Sequence, residues 1–266
     1  MTTETPAAVG KEVLFEIVDD HVAIVTLNRP EKRNAVNAEL ARGVQWIVKQ
    51  VEADDAIRVA IITSSLESTF CAGADLAEIA AGRGALIAPD GDGFAGFNDA
   101  KRDKPWIAAV RGACLAGGFE LALACDMIVA ADDARFGLPE TKRGLFAGGG
   151  GTFRLPRAIP RNVALEMLAT GDPISAERAY ALGLVNRLVP SAGVLGAARD
   201  LAGAIASAAP VSVRETLKVA RLVSDRSEAE LRALGDAASK TTSATEDARE
   251  GPRAFLEKRA PVWAGR

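Results

Sequence analysis

Residues 111–126 read Arg111-Gly-Ala-Cys-Leu-Ala-Gly-Gly-Phe-Glu-Leu-Ala-Leu-Ala-Cys-Asp126. An apolar, strand-like segment leads through Gly117 and Gly118 into a short helix, Phe119 to Ala124, that is apolar on every side and is therefore predicted to be buried. Glu120 is the exception within this helix. A carboxylate gains from the dipole at a helix start, but in a buried helix it must also lose most of its hydration, which is costly unless something compensates.

Two interpretations of Glu120 follow from this local pattern. In the first, its carboxylate caps backbone amides at the start of its own helix. In the second, Gly117 and Gly118 leave amide N–H groups uncovered at the helix N-terminus, where they can bind an oxyanion. A carboxylate that exchanges protons beside a site for developing negative charge is typical of carbonyl chemistry.

The segments around this stretch predict a layered α/β fold. Residues 12–18 and 22–27 alternate as paired strands around a turn at Asp19-Asp20, and Asn37 is placed to cap an amphipathic helix that runs to about Glu52. Three further short apolar runs are typical of buried strands: Val59 to Thr63, Trp106 to Val110 and Met127 to Ala131. Because single helices separate these strands, we expect a buried sheet in α/β layering.

The composition excludes several classes of function. The chain has 266 residues, enough for one large domain or a domain with an appendage, and a net charge of −3 gives no electrostatic reason to bind nucleic acid or a membrane surface. No uninterrupted apolar run reaches the length of a membrane span, and residues 1–6 lack the features of an export signal. We therefore expect a cytoplasmic protein without nucleic-acid or membrane partners.

The chain has too few histidines and cysteines for most catalytic mechanisms that use these residues. His21 is the only histidine, so Ser-His-Asp and Cys-His mechanisms are nearly excluded, and acid–base work must fall to carboxylates. Cys71, Cys114 and Cys125 lack the C-x-x-C spacing of zinc sites and are odd in number, which argues against a disulfide framework. We interpret them as small buried side chains and expect no metal site.

Other glycine-rich segments are candidates for contact with a ligand. Gly73 followed by Ala74-Asp75 is a second place where backbone amides meet a helix start. Residues 81–97 have little periodicity and predict a mobile loop, either a plain linker or a substrate lid. The run Gly148 to Gly151 lacks the Gly-Lys-Ser/Thr of a phosphate loop, although close backbone approach to a ligand remains open. Glu140, after Pro139, is expected to be a solvated loop residue.

The chain beyond Thr152 is predicted to be helical, with Pro173, Pro190 and Pro210 between segments. The predicted helices are Asn162 to Leu168, Ser175 to Leu182, Val194 to Ala208, Val211 to Val223 and Glu228 to Thr242. The charged end, from Glu246 to Arg259, is interpreted as a solvated terminal helix.

The order and spacing of several motifs resemble the enoyl-CoA hydratase/isomerase family, the crotonase superfamily. The motifs span nearly the whole chain: Asn28-Arg-Pro, Asn34-Ala-Val, Phe70-Cys-Ala-Gly-Ala-Asp75, Lys104-Pro-Trp, Gly117-Gly-Phe-Glu120, Phe136-Gly-Leu-Pro-Glu140, Gly150-Gly-Thr and Glu250-Gly to Arg259. The resemblance implies a crotonase-like spiral of ββα turns. It implies an active-site core over residues 1–195 and a C-terminal helical region, 196–266, that builds homotrimers, usually paired into hexamers.

The resemblance also implies a coenzyme A thioester as ligand and a role for individual residues. The amides of Ala74 and Gly117 would form the oxyanion hole for the thioester carbonyl. Glu120 and Glu140 match the paired catalytic glutamates of the hydratases, and Gly148 matches a position whose amide helps hold the reacting water. The CoA nucleotide would contact the following residues, the last two from a neighbouring subunit: Lys32, Arg33, Ala72, Phe255 and Lys258.

From these residues we predict an enoyl-CoA hydratase that adds water reversibly and syn to a trans-2-enoyl-CoA, in fatty-acid or related acyl-CoA catabolism, without a cofactor. Three departures from the family pattern leave the substrate open: Phe119, Ala147 and the basic Thr141-Lys-Arg143. The stretch Glu140-Thr-Lys-Arg-Gly-Leu145 resembles a carnitinyl-CoA dehydratase-like branch. The alternatives are that dehydratase activity, Δ3,Δ2-enoyl-CoA isomerisation, or a non-catalytic protein that binds acyl-CoA or RNA.

Overall fold

The structure, a computed structural model, describes residues 10–266. The first nine residues of the predicted core, 1–195, lie outside the described residues. The strands are β1 Val13–Val18, β2 Val22–Leu27, β3 Val59–Ser64, β4 Thr69–Cys71, β5 Trp106–Val110, β6 Ala113–Leu115, β7 Met127–Ala131, β8 Arg135–Gly137, β9 Ile174–Ser175 and β10 Arg187–Val189. The helices are α1 Ala38–Ala53, α2 Leu76–Ala80, α3 Gly117–Leu123, α4 Gly151–Ala158, α5 Arg161–Thr170, α6 Ala176–Ala181, α7 Val194–Ala206, α8 Pro210–Ala220, α9 Glu228–Ser243 and α10 Asp247–Leu256.

Two sheets wind together as the predicted spiral of ββα turns. The larger sheet has the order β1-β2-β3-β5-β7-β10, and the smaller has the order β4-β6-β8-β9. The first turn, β1-β2-α1, has both strands in the larger sheet. The following turns place one strand in the larger sheet and the next in the smaller sheet before a helix follows, as in β3-β4-α2 and β5-β6-α3. Successive turns stack in parallel, so the ends of β4, β6 and β8 lie side by side.

The sequence pattern explains these elements. β3 and β5 are buried along their whole lengths, as expected for parallel strands that are covered on both faces. β1 and β2 form the predicted antiparallel hairpin around Asp19 and Asp20, which both have left-handed φ angles. Asn37 caps α1 as predicted, and its side chain accepts a hydrogen bond from the Leu40 amide at 2.9 Å.

Helix α7 packs against the larger sheet, whereas α9 packs against α8 and α10. The helix spans the predicted boundary between residues 195 and 196, so the division into a core and an oligomerisation region stays a prediction. α9 has no buried residue in this single chain. Among residues 10–266 no single helix is long and apolar enough to cross a membrane. Only together do Ser191–Ala206 and Pro210–Ala220 have the length and apolar composition of a span, and the two segments are bent by 106° relative to each other.

Two features of the fold differ from the sequence-based expectation. The short strands β4, β8, β9 and β10 were not predicted, because two or three residues carry too little periodicity to be recognised. Residues 81–97 form three short 3₁₀ turns packed on the protein, with Phe94, Ala95 and Phe97 buried. The segment is therefore not a plain open linker, whereas its mobility stays a prediction.

Candidate active site

The candidate site begins where β4 and β6 end, because parallel neighbours deliver their following turns to the same edge of the sheet. The turn after β4 contains Gly73 and Ala74, and the turn after β6 leads into Gly117 at the start of α3. The two turns are in close contact: a Cβ atom built on Gly73 would lie 3.0 Å from the Gly117 nitrogen and 2.7 Å from the Ala116 Cβ. This approach requires glycine at position 73, whose φ of +96° also disfavours other residues.

The amides of Ala74 and Gly117 are not used by the surrounding backbone ladders. Gly117 is the first residue of α3, where an N–H group has no acceptor within its own helix. Ala74 forms an isolated bridge with Val36, but the hydrogen bonds of that bridge run from the Val36 amide to Gly73 and from the Asp75 amide to Val36, at 2.8 and 2.9 Å. Within residues 10–266 neither amide donates to a protein acceptor, so both can serve as oxyanion donors.

Glu120 caps a helix, although not its own. Its Oε1 accepts a hydrogen bond from the Gly151 amide at 2.8 Å, which is the first amide of α4. The interpretation of a cap at the start of α3 is therefore wrong. The side chain is buried, and this burial raises the pKa of Glu120 to about 7; the Gly151 hydrogen bond opposes the shift, and the negative charge of Glu140 adds to it.

Glu140 is buried as well, which contradicts the expectation of a solvated loop residue. It lies in a 3₁₀ turn, Pro139–Arg143, and is 9% exposed. Burial raises its pKa, and the positive charge of Arg143 partly offsets that effect. Its Oε2 atom is buried without a hydrogen-bond partner among residues 10–266. A buried carboxylate oxygen with no partner is suited to a hydrogen bond with substrate or water.

The loop before α4 lies against the Glu120 carboxylate at Gly149. Two side chains that the sequence analysis missed, Asn98 and Arg154, hold this loop in place, and we call them the clamp. The Gly149 carbonyl accepts hydrogen bonds from Asn98 Nδ2 at 2.7 Å and from Arg154 Nη1 at 2.8 Å. Arg154 Nη2 also donates to the Asn98 carbonyl at 2.6 Å. Asn98 is buried directly after the buried Phe97, but the exposed Asp99 follows it, so the local sequence carried no clear signal of this role.

The role predicted for the Gly148 amide is not available in this structure. Its N–H group donates to the Phe146 carbonyl at 2.8 Å, which closes a three-residue turn. Gly148 still lines the candidate site, but an amide that is already paired cannot also hold a water molecule with full strength. The water contact of the Gly148 amide therefore stays a prediction, and it would require this turn to open.

All the central residues line one cavity of about 750 Å³. The two glutamates, Ala74, Gly117 and Gly148 share it, and so do Lys32, Arg33 and Ala72 from the predicted CoA contacts. The volume is typical of a site for a small organic ligand. The apolar part of the wall includes Leu76, Ile79, Ile87, Phe94, Leu145 and Phe146. Phe255 and Lys258 do not line this cavity in the single chain, and Phe255 is 84% exposed.

The segment 81–97 covers part of this cavity. Ile87 and Phe94 face it, and Phe94 lies so close to α3 that a Cβ atom on Gly117 would be 2.4 Å from its ring. The sequence analysis left a plain linker and a substrate lid open for this segment, and its position over the site fits the lid better than the linker. Among residues 10–266 no group of three or more His, Cys, Asp or Glu side chains is arranged to hold a metal ion.

The single histidine and the three cysteines have no part in the cavity. His21 lies in the turn before β2, and its Nδ1 atom is 2.8 Å from the Ala56 carbonyl oxygen. Cys71 and Cys114 are buried and Cys125 is partly buried, and all three are free thiols. Burial raises the pKa of the Cys71 thiol to about 12, so it is not a candidate nucleophile.

Comparison with known proteins gives consistent matches over nearly the full chain. Residues 18–266 match the family model described as enoyl-CoA hydratase/isomerase. The chain is 42% identical to carnitinyl-CoA dehydratase of Citrobacter koseri, over 91% of this chain and 94% of that protein. It is 41% identical to (E)-benzylidenesuccinyl-CoA hydratase of Thauera aromatica, over 93% of this chain and 97% of that protein. The crystal structure of an enoyl-CoA hydratase from Mycobacterium tuberculosis H37Rv superposes with a TM-score of 0.92 at 43% identity, and the match covers 96% of this chain and all of that chain.

Proposed function

This chain belongs to the enoyl-CoA hydratase/isomerase family, and we propose that it hydrates a trans-2-enoyl-CoA to the corresponding 3-hydroxyacyl-CoA. The observation that carries the proposal is the convergence of Glu120, Glu140 and the unpaired amides of Ala74 and Gly117 on one cavity. A member that only bound acyl-CoA would not need two buried carboxylates, since each costs desolvation energy in the empty site.

The oxyanion hole acts on the thioester carbonyl. As water adds across the C2=C3 bond, the electron pair of that bond moves toward C2 and the carbonyl, and negative charge builds on the carbonyl oxygen. The Ala74 and Gly117 amides would donate to this oxygen, and fixed donors in a dry site stabilise such charge by about 3 kcal/mol each. The apolar wall would exclude bulk water, which keeps the effective dielectric low.

The carboxylates divide the proton transfers. Glu120 accepts a proton from water while the water oxygen bonds to C3, and protonated Glu140 delivers its proton to C2 on the same face, so the addition is syn. The pair begins and ends the step with one proton in total: Glu140 has given its proton to C2, and Glu120 holds the proton taken from water. Because the two groups interact, they titrate as a unit, and the reverse assignment of acid and base is chemically equivalent in this balance.

The ligand and the assembly complete the proposal. Lys32, Arg33 and Ala72 would contact the nucleotide part of coenzyme A, since two exposed cations at one edge of the cavity suit its phosphates. We extend the proposal to a homotrimer or a pair of trimers, in which Phe255 and Lys258 reach a neighbouring subunit's ligand. The large exposed side chains of Phe255 and Leu256 fit a contact between subunits.

The pH dependence of hydration is a direct consequence of the shared proton. We expect a bell-shaped profile of kcat/KM, because the reaction needs one proton on the pair. The acid limb, where the second proton binds, should lie above the ordinary glutamate value of 4.5. The alkaline limb, where the pair loses its last proton, should lie near pH 7, because burial raises the pKa of Glu120 to about 7 and the two carboxylates share that proton. Thermal unfolding at each pH checks that the enzyme remains folded. A profile that stays flat from pH 5 to 9 would contradict the pair as acid and base.

The reaction itself is tested by a panel of thioesters. Crotonyl-CoA, longer trans-2-enoyl-CoAs and crotonobetainyl-CoA are incubated with the protein, and loss of the enoyl absorbance and the product are measured. Hydration of at least one neutral enoyl-CoA is the expected result. Conversion of crotonobetainyl-CoA alone would favour the carnitinyl-CoA dehydratase-like alternative, and double-bond migration without hydration would favour the isomerase. Binding of CoA thioesters without turnover would favour the alternative of a non-catalytic acyl-CoA binding protein.

A further inference from the structure

Arg143 shares the cavity-facing side of a 3₁₀ turn with Glu140. Side chains three residues apart eclipse each other in a 3₁₀ helix, at a spacing of about 6 Å along its axis. Both residues line the cavity, whereas Thr141 and Lys142 between them do not. The turn that places a proton donor in the site therefore also places a guanidinium group there.

The Arg143 guanidinium is not locked in an ion pair with a neighbouring acid in the described part of the chain. Within residues 10–266 it makes no ion pair, and its only hydrogen bond runs from Nη1 to the Pro139 carbonyl at 3.4 Å, within the same turn. Its neighbour Lys142, by contrast, pairs with Asp172 on the surface. The cavity contains one acid besides the two glutamates, Asp99, which pairs with Arg154 at 3.1 Å. The wall next to Arg143 therefore carries a positive charge that acts on Glu140 but is held in no ion pair among residues 10–266.

Arg143 belongs to the carboxylate end of the cavity and not to the end that faces the predicted CoA contacts. The Arg33 carbonyl accepts from the Ala72 amide at 3.1 Å, which ties the other cations, Lys32 and Arg33, to the oxyanion-hole side. The Arg143 charge acts on Glu140, whereas Lys32 acts on Asp75 beside the oxyanion hole. The walls that follow Arg143 in the chain, Leu145 and Phe146, are apolar and suit an acyl chain.

We propose that the acyl group of the substrate carries a carboxylate a few carbons beyond C3, and that Arg143 binds it. This inference rests on the proposed function for the position of the thioester, and it adds the substrate class. An arginine can bind a carboxylate through two parallel hydrogen bonds, an arrangement that neither a neutral chain nor a quaternary ammonium group can form. An acyl group with a cationic end would instead meet a repulsive charge in this part of the cavity.

The test compares matched thioesters in the wild-type protein and two variants. The substrates are trans-2-hexenedioyl-CoA, which ends in a carboxylate, and trans-2-heptenoyl-CoA, which is neutral. We expect wild-type kcat/KM to favour the carboxylated substrate by about tenfold, and Arg143→Gln to abolish that preference. Lys142→Gln is the matched control, because it removes a positive charge from the same turn outside the cavity, and it should retain the preference.

Binding gives a second readout that does not depend on catalysis. Dissociation constants for adipyl-CoA and heptanoyl-CoA, both saturated, are measured by calorimetry, and the same Arg143-dependent preference of about tenfold is expected. A preference in binding with no hydration of any thioester would overturn the proposed function and support the carboxylate site. Hydration with equal kcat/KM for the two substrates, or a preference that survives Arg143→Gln, would overturn the carboxylate site and leave the proposed function standing.

Discussion

Replacing Glu140 or Glu120 by glutamine is expected to lower kcat for enoyl-CoA hydration by about a thousandfold, while the dissociation constant for a saturated acyl-CoA changes less than about threefold. Glutamine keeps the shape of the side chain and can still accept a hydrogen bond through Oε1, so the Gly151 amide at Glu120 stays paired. It cannot accept or deliver a proton at neutral pH. Steady-state kinetics and calorimetry with the same thioester separate the two effects.

Stability measurements distinguish lost chemistry from lost folding. The folded-state pKa of Glu120 is raised above 4.5, so its ionised form destabilises the fold: the penalty is absent below pH 4.5, grows as the pH rises toward 7 and is complete above it. At pH 8 the neutral Glu120→Gln variant should therefore unfold at the same Tm as wild type or higher. Glu177→Gln, on an exposed face outside the cavity, is the control for both assays.

The glutamate experiment also has a result that would exclude the proposed pair. If either variant kept more than about a tenth of the wild-type kcat, that carboxylate would not transfer a proton in the rate-limiting step. If thioester binding disappeared together with activity while Tm was unchanged, the glutamates would be binding residues in the first place. Both outcomes would shift the proposal toward a different chemistry in the same cavity.

Substitution of Gly149 by alanine is the second change with a large expected effect, about a hundredfold loss of kcat. A Cβ atom at this position would lie 2.6 Å from Glu120 Oε2 and 3.0 Å from Asn98 Nδ2. The Glu120 carboxylate cannot swing freely away, because its other oxygen is held by the Gly151 amide, so the carboxylate must move as a whole. Displacement of about 1 Å is enough to misalign a proton acceptor.

Gly148 supplies the matched control for this substitution. Its Cβ would meet only Phe146, at 3.8 Å, which is an ordinary van der Waals distance, and neither glycine has a left-handed φ that alanine would strain. Gly148→Ala should therefore reduce kcat by no more than about threefold. Equal losses of kcat in the two variants would show that the conformation of the loop, and not the position of Glu120, limits the rate. An unchanged kcat in Gly149→Ala would mean that Asn98 and Arg154 move aside without displacing Glu120.

The sequence was most informative where local pattern and burial agree. β3, β5 and β7 were predicted because a strand covered on both faces must be apolar throughout, and helix α1 was predicted because Asn37 supplies its cap. The same local logic failed for Glu140. A glutamate after proline in an irregular segment is usually solvated, and nothing near it in sequence reports that β8 delivers the next turn to a cavity wall.

Glu120 shows the same limit in a different way. Its local pattern correctly predicted a buried carboxylate in need of compensation, but assigned the compensation to amides of its own helix. The partner is the Gly151 amide, 31 residues further along the chain. The Asn98 and Arg154 clamp is equally non-local, since 51 residues separate Asn98 from the Gly149 carbonyl it holds. Hydrogen bonds of this kind leave no periodic signal in the sequence.

The sequence by itself determined the layered α/β class and the positions of most strands and helices, and it argued against Ser-His-Asp and Cys-His mechanisms. These conclusions depend on residue type and on spacing along the chain. The ordered motifs indicated the family and pointed to Glu120 and Glu140 as candidate catalytic residues. Only the tertiary structure decided that both carboxyl groups enter one cavity, that the Ala74 and Gly117 amides stay unpaired while the Gly148 amide does not, and that Arg143 stands beside Glu140. The physical reason is that charge, solvation and hydrogen-bond pairing act through space, and the winding of the two sheets sets which distant residues become neighbours.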